Sequence, residues 1–374
     1  MYEAGLEASN FKLALSSLQD IQKILKQAGQ ENTYSYQYIQ KLQALTQIKG
    51  NQFEKASNTF QQIHDQVLVT SNHNENIYAA RRNLILSYVY SDIQRAIEEG
   101  GKIQLKEEQS HLLADYLQIM GVAHFLNKDY RDAEHLLENS QILAQHSDDS
   151  SVLGPYLNNY GMAHYMKLTE LNEDLTQELL FEVMNTLKDS LKEQEHVYAM
   201  VTNQPRTEEM TVQLNSLVTH NQLMPEMGIE CDKFLQSKDL RRVFANMSLI
   251  LLRNLNKVEF NPIIAYWVMS GLKYTQQHEQ KNLVRQLVLL GMFYQKNNKN
   301  LMAEGFYNQA RDNAKGTQNW DHVHALRSYA NHINSMDRRQ SEAQKVILQA
   351  QEIEKNLKSW HEYMDLLYLP KFSI

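Results

Sequence analysis

The residue types that chemistry uses are present in this chain, but their spacings fall short of working sites. His361-Glu362-Tyr363-Met364-Asp365 opens as a zinc-protease helix opens, with a histidine beside a glutamate, yet Asp365 occupies the place of the second histidine ligand. Gly100-Gly101-Lys102 lacks the spacing, and the following Ser or Thr, of a phosphate-cradling loop and reads as a helix end. His322 and His324 stand two apart, which on a helix turns them to different faces. His124 and His164 fall at the same place in related segments and read as histidines packed between helices. The single Cys231 excludes a disulfide framework or a zinc ribbon and points to a reducing compartment. Asn246-Met247-Ser248 is a glycosylation sequon by letter only, inside a helical apolar run. No Ser/His/Asp or Cys/His arrangement can be assembled from local spacing. No catalytic, cofactor-binding or metal-binding residue is assigned, and the chain is expected not to be an enzyme.

The chemistry that is left is recognition by helix faces, and the stretch Leu113 to Gln145 shows how those faces are built. Its first half carries Leu117, Met120, Gly121, Ala123 and His124 on one stripe, with Gly121 small enough for a partner helix to come close. Asn127 and Asp129 break the helix, Tyr130 follows, and Ala133, Leu137 and Ser140 then face back toward the first half. The pattern recurs at Leu157, Tyr160, Gly161, Ala163 and His164 with Val183, Leu187 and Ser190. It recurs again at Leu287, Leu290, Gly291 and Tyr294 with Ala303, Tyr307 and Ala310. Further hairpins run from Tyr38 to Phe60 and from Trp320 to Ala350, and Asn76 to Ile97 reads as one long helix ended by Gly100 and Gly101. Phe11, Ala14, Leu18, Ile21 and Leu25 read as the second helix of a repeat, so an upstream portion or a partner is expected to cover that end. Leu366, Leu367 and Pro370 are expected to cap the final helix.

These segments resemble the tetratricopeptide repeat (TPR), about 34 residues long, in which large and small apolar residues hold fixed places. The resemblance implies an all-α, TPR-like helical-hairpin solenoid, a superhelix. Domain organisation is read as a TPR-like array over 1–200, an irregular linker or insertion over 201–239 that contains Pro205 and Pro225, and a second array with its cap over 240–374.

Composition agrees with this reading. The chain has 374 residues, 43% hydrophobic and 22% charged, with only 5 Pro and 13 Gly, too few for a sandwich or barrel of many tight turns. A formal net charge of -7 argues against gripping phosphate backbones, so no direct contact with nucleic acid is expected. Apolar runs such as Leu287 to Phe293 are far shorter than the roughly 20 residues that cross a bilayer, so no membrane span is expected. The opening MYEAGLEAS shows no export or transit signal, which leaves nuclear or cytoplasmic residence.

In segment order the chain is similar to the C-terminal part of the cohesin-loading TPR subunit family. The blocks concerned are IKGNQFEKA at Ile48 to Ala56, IMGVAHFLNKDYRDAEH at Ile119 to His135, QLVLLG at Gln286 to Gly291, QNWDHVHALRSY at Gln318 to Tyr329, a helix from Ser341 to Leu357, and the ending Leu369-Pro370. That resemblance implies a nuclear scaffold in sister chromatid cohesion whose partner is the large HEAT-repeat cohesin loader. The alternative is an unrelated TPR adaptor in an organelle or ciliary multiprotein assembly. The family's N-terminal half has no counterpart here, so none of its partner-binding residues is carried over.

A partner-binding groove can instead be named from the repeats, because first helices line the concave face of such a stack. The candidates are Gln118, Val122 and Phe125, then Asn158, Asn159, Met162 and Tyr165, then Val288 and Met292, with Gln295 beyond them. Gln118 and Val122 stand where many TPR proteins grip a terminal carboxylate with Lys and Asn, so a carboxylate clamp is not expected. Met, aromatic and amide side chains suit an extended or helical peptide, with Phe125 and Tyr165 as apolar anchors and Gln118, Asn158 and Asn159 bonding its backbone. The competing reading is that Met162 and Met292 fill gaps between helices.

Overall fold

The computed structural model describes residues 11–71, 73–103, 110–146, 151–171, 175–202, 238–254, 283–317, 319–336 and 338–372. Among them all regular structure is helical. Cys231 and most of the 201–239 segment lie outside the described residues. The chain divides into two compact units: Met1–Leu143 with Leu369–Ile374, and Ala144–Tyr368.

The first unit holds α1 (Phe11–Gln27), α2 (Tyr34–Lys49), α3 (Phe53–Thr70), α4 (Asn74–Ser91), α5 (Ile93–Gly100), α6 (Ser110–Leu126) and most of α7 (Tyr130–Gln145). The α6–α7 hairpin packs as its sequence pattern predicts. A Cβ on Gly121 would stand 2.5 Å from Leu137 Cγ, so only glycine lets α7 come this near. Ser140 Oγ donates to the Ala114 carbonyl at 2.7 Å, which satisfies a buried hydroxyl at the same interface. The turn closes through Lys128, at φ 69°, with the Asp129 N–H donating to the His124 carbonyl at 2.9 Å. That left-handed residue past the helix end ties off orphan carbonyls. Asn51 does the same between α2 and α3 at φ 57°. Phe372 stacks on Phe60, with ring centroids 4.9 Å apart.

The single helix expected from Asn76 to Ile97 is two helices. Asp92 breaks it with an extended backbone, φ -154° and ψ 93°, and its side chain accepts the Arg95 N–H to cap α5. A capping carboxylate competes with helix continuation, and the apolar periodicity alone hid that competition.

The second unit holds α8 (Leu153–Glu170), α9 (Gln177–Thr202), α10 (Lys238–Arg253), α11 (Leu283–Lys296), α12 (Asn300–Ala314), α13 (Trp320–Asn334) and α14 (Gln340–Glu354), then a 3-10 helix, Ser359–Leu366. Consecutive helices pack in order, and α9 and α10, which flank the 201–239 segment, lie against each other. The hairpin contacts recur here: Gly291 faces Tyr307, Ser190 Oγ donates to the Gly154 carbonyl at 2.6 Å, and Asn298 turns the chain at φ 58°.

His332 in α13 is fully buried against the Tyr307 ring, with centroids 5.3 Å apart. Burial pushes its imidazole below the ordinary histidine value of 6.5 and Arg339 adds to this, while Glu304 and the Asn300 backbone oppose it. The unfolded chain takes up this proton near pH 6.5 and the folded chain only at lower pH. Stability present above that value is therefore lost as pH falls through the window, at up to about 1.4 kcal/mol per pH unit for one proton. Thermal unfolding between pH 7 and pH 5 should show the decline, and His332→Gln should flatten part of it. An unchanged slope in the variant would exclude His332 as its source.

Candidate peptide-backbone site

The amide side chains of α8 meet a peptide backbone that belongs to the chain itself. Past the 3-10 helix the chain turns extended at Leu367, φ -112° and ψ 152°, and runs between α8 and α10. Asn159 Oδ1 accepts the Tyr368 N–H at 2.7 Å, and Asn159 Nδ2 donates to the Tyr368 carbonyl at 2.7 Å. One carboxamide closes the two bonds that a neighbouring β-strand residue would close.

Two residues earlier, the Leu366 carbonyl accepts from Asn158 Nδ2 at 3.1 Å and from Asn246 Nδ2 at 2.9 Å. The carboxamides also bond one another: Asn246 Nδ2 donates to Asn158 Oδ1 at 2.9 Å, and Asn158 Nδ2 to Asn159 Oδ1 at 3.2 Å. Arg285 from α11 donates to Asn246 Oδ1 at 3.3 Å and completes the set. A carbonyl can only accept and an N–H can only donate, so the bound backbone fixes which way each carboxamide faces. Asn158, Asn159 and Asn246 are each 0% exposed, a depth at which such groups require partners.

The Tyr368 side chain is read separately. Its hydroxyl donates to Gln194 Oε1 at 2.9 Å, and its ring lies under the Arg242 guanidinium, 4.2 Å from the centroid. Gln194 is aimed by α9: its Nε2 donates to Ser190 Oγ at 3.0 Å, and a Cβ on Gly154 would come within 2.5 Å of Gln194 Cγ. Leu366, Leu367 and Tyr368 are all buried. The site can hold an extended chain by its main-chain atoms and select an aromatic side chain.

The other predicted groove residues take different places. In the first unit, Gln118 is buried with its Oε1 3.5 Å from Ser140 Oγ, Val122 is buried, and Phe125 packs edge-on against Tyr130, 5.3 Å between centroids. In the second, Met162 is buried and the Tyr165 hydroxyl accepts from Asn254 Nδ2 at 3.2 Å. Val288 is buried, Met292 is half-buried, and Gln295 accepts from the Tyr307 hydroxyl at 2.8 Å. Val122, Phe125, Met162 and Tyr165 are each buried, every one within its own unit. Phe125 fills its own hairpin, as the large position of a large-and-small pattern does.

Sequence reasoning missed Asn246, set aside as a false sequon, and also Gln194, Arg242 and Arg285. It also misplaced the C-terminal segment, which was expected to cap the final helix. Leu366 and Tyr368 bond α8 and α10 instead, because the unpaired backbone of an extended segment goes to the carboxamides that can satisfy it. Among the described residues, no group of three or more His, Cys, Asp or Glu is placed to hold a metal ion, and no helix is long and apolar enough to cross a membrane.

No family model and no curated protein sequence matches the chain. Among solved structures, the apo form of the quorum sensor NprR from B. thuringiensis is similar over 94% of this chain and 85% of its own, with TM-score 0.60 and 14% identity. BtubC from P. vanneervenii matches 72% of this chain and 91% of its own at TM-score 0.43 and 12% identity. A circular tandem repeat protein matches 98% and 94% at TM-score 0.26 and 10% identity, and neither of these weaker likenesses carries weight. The recurrent glycine-on-large-residue hairpins and the first likeness show the fold: this chain is an all-α protein of TPR-like helical-hairpin repeats.

Proposed function

We propose that this chain is a non-catalytic helical-repeat scaffold that holds a partner protein by an extended segment. The observation that supports it is the pairing of Asn159 with both main-chain groups of Tyr368, beside two more asparagines on the Leu366 carbonyl. Main-chain atoms are common to every peptide, while Arg242 and Gln194 add selection for one aromatic side chain. Affinity purification of the tagged chain at physiological salt tests the reading. Capture of a partner that is lost in Asn158→Ala with Asn159→Ala supports it, and a chain that brings down no protein counts against it.

A finer assignment within this reading is a subunit of the cohesin-loading complex, bound to the large HEAT-repeat loader in the nucleus and acting in sister chromatid cohesion. Its support is segment order in the sequence alone. Localising the tagged chain tests it, since a signal confined to mitochondria or cilia removes it. A second reading, favoured by the asparagine site together with the likeness to a quorum sensor, is a sensor that receives its signal at that site. Capture of a small peptide in place of a large protein partner would select it.

A further inference from the structure

We infer that Leu366–Tyr368 is a resident stand-in for a separate ligand: the asparagine site takes a short extended peptide with an aromatic residue, and the chain's own segment fills the site until such a peptide displaces it. This rests on the reading of the site as a peptide receptor.

The contacts argue for a receptor over a fixed cap. A cap needs apolar burial, which Leu366 and Leu367 supply by themselves, and it needs no asparagine in a core. Here three carboxamides fully withdrawn from water are aimed at main-chain atoms of one extended segment, and emptying the site would leave all of them short of partners. Whatever replaces the segment must therefore bring a carbonyl at one residue and an N–H with a carbonyl two residues on, which is the chemistry of an extended peptide. At that second residue an aromatic ring fits under Arg242, and a phenolic hydroxyl adds the bond to Gln194.

The segment's hold on the asparagine site spans Leu366 to Tyr368; Leu369 and Pro370, which follow, are half-buried, and the next specific contact is Phe372 on Phe60. As a tethered competitor it acts at high effective concentration, so the intact chain binds an added peptide more weakly than the open site does.

The test uses a fluorescent peptide, acetylated and amidated, with the sequence of residues 364–370, Met-Asp-Leu-Leu-Tyr-Leu-Pro. Tyr368→Ala in the full chain strips the segment of its ring and hydroxyl contacts while leaving the asparagines in place. Anisotropy titration should show about tenfold or more tighter binding to this variant than to the wild type. Adding Asn159→Ala should abolish that binding. In the wild-type chain, saturating peptide should speed hydrogen exchange at the Tyr368 amide, a readout that needs no variant to fold. Equal, Asn159-dependent affinity for wild type and Tyr368→Ala would overturn the stand-in while leaving the receptor. No binding to folded Tyr368→Ala, with no change in wild-type exchange, would make the segment a fixed part of the fold and overturn the inference. The scaffold reading would then rest on partner capture alone.

Discussion

Asn159→Ala should release the segment around Tyr368 and abolish partner capture. The substitution removes the acceptor for the Tyr368 N–H and the donor for its carbonyl, and it takes from Asn158 one acceptor as well. A buried backbone group left without a partner costs about 1–3 kcal/mol, so the two on Tyr368 together cost about 2–6 kcal/mol. Burying three side chains offsets little beyond the entropy of ordering three residues, so the segment leaves before the helices unfold. The measurement is hydrogen exchange: the Tyr368 amide should lose its protection while the amides of α8 keep theirs. Retained protection at Tyr368 would show that the carboxamide does not hold the segment.

Asn159→Asp sharpens the same test. The carboxylate still accepts the Tyr368 N–H but has no donor for the Tyr368 carbonyl, so at neutral pH it should behave as alanine does. Burial raises the pKa of such a carboxyl, and its protonated form regains one donor. The folded variant then binds more protons than the unfolded one, so its stability should rise as pH falls toward 5 and be lost as pH rises through the folded pKa. Recovery of Tyr368 protection at low pH is the expected sign.

The hairpins were legible because large-and-small packing is written in residue size at helical spacing. Gly121 against Leu137 and Gly291 against Tyr307 stand where the pattern puts them. Asn158 and Asn159 were named from the sequence as amides able to bond a partner's backbone, and in the structure they bond the chain's own. The partner of those amides was not legible: the segment from Leu366 to Tyr368 lies more than 200 positions away in sequence, with pairings at |i−j| of 208 and 209. Its alternation is too short to separate a bound strand from a cap. Asn246 was hidden for the opposite reason, since its apolar neighbours mark a buried helix and give no sign that one buried position is polar by design. The break at Asp92 was not legible, because the apolar residues continue on both sides of it and the stretch reads as one helix.

Phe125→Ala should lower stability by about 3–5 kcal/mol and leave partner capture by the folded protein unchanged. Phe125 is 0% exposed and packs edge-on against Tyr130, so its removal opens a cavity in the α6–α7 hairpin that the surrounding side chains fill only in part. A ligand anchor would show the reverse, with weaker capture and an unchanged melting temperature. Tyr165→Phe supplies the contrast within the second unit. The change removes a hydroxyl that accepts from Asn254 Nδ2, but that amide keeps its bond to the Ile250 carbonyl at 2.8 Å, so the expected loss stays near 1 kcal/mol or below. Chemical unfolding of each variant, paired with capture measured per folded molecule, separates the two roles. Should Phe125→Ala weaken capture at unchanged stability, the recognition surface extends to α6 and the carboxamides are not its centre.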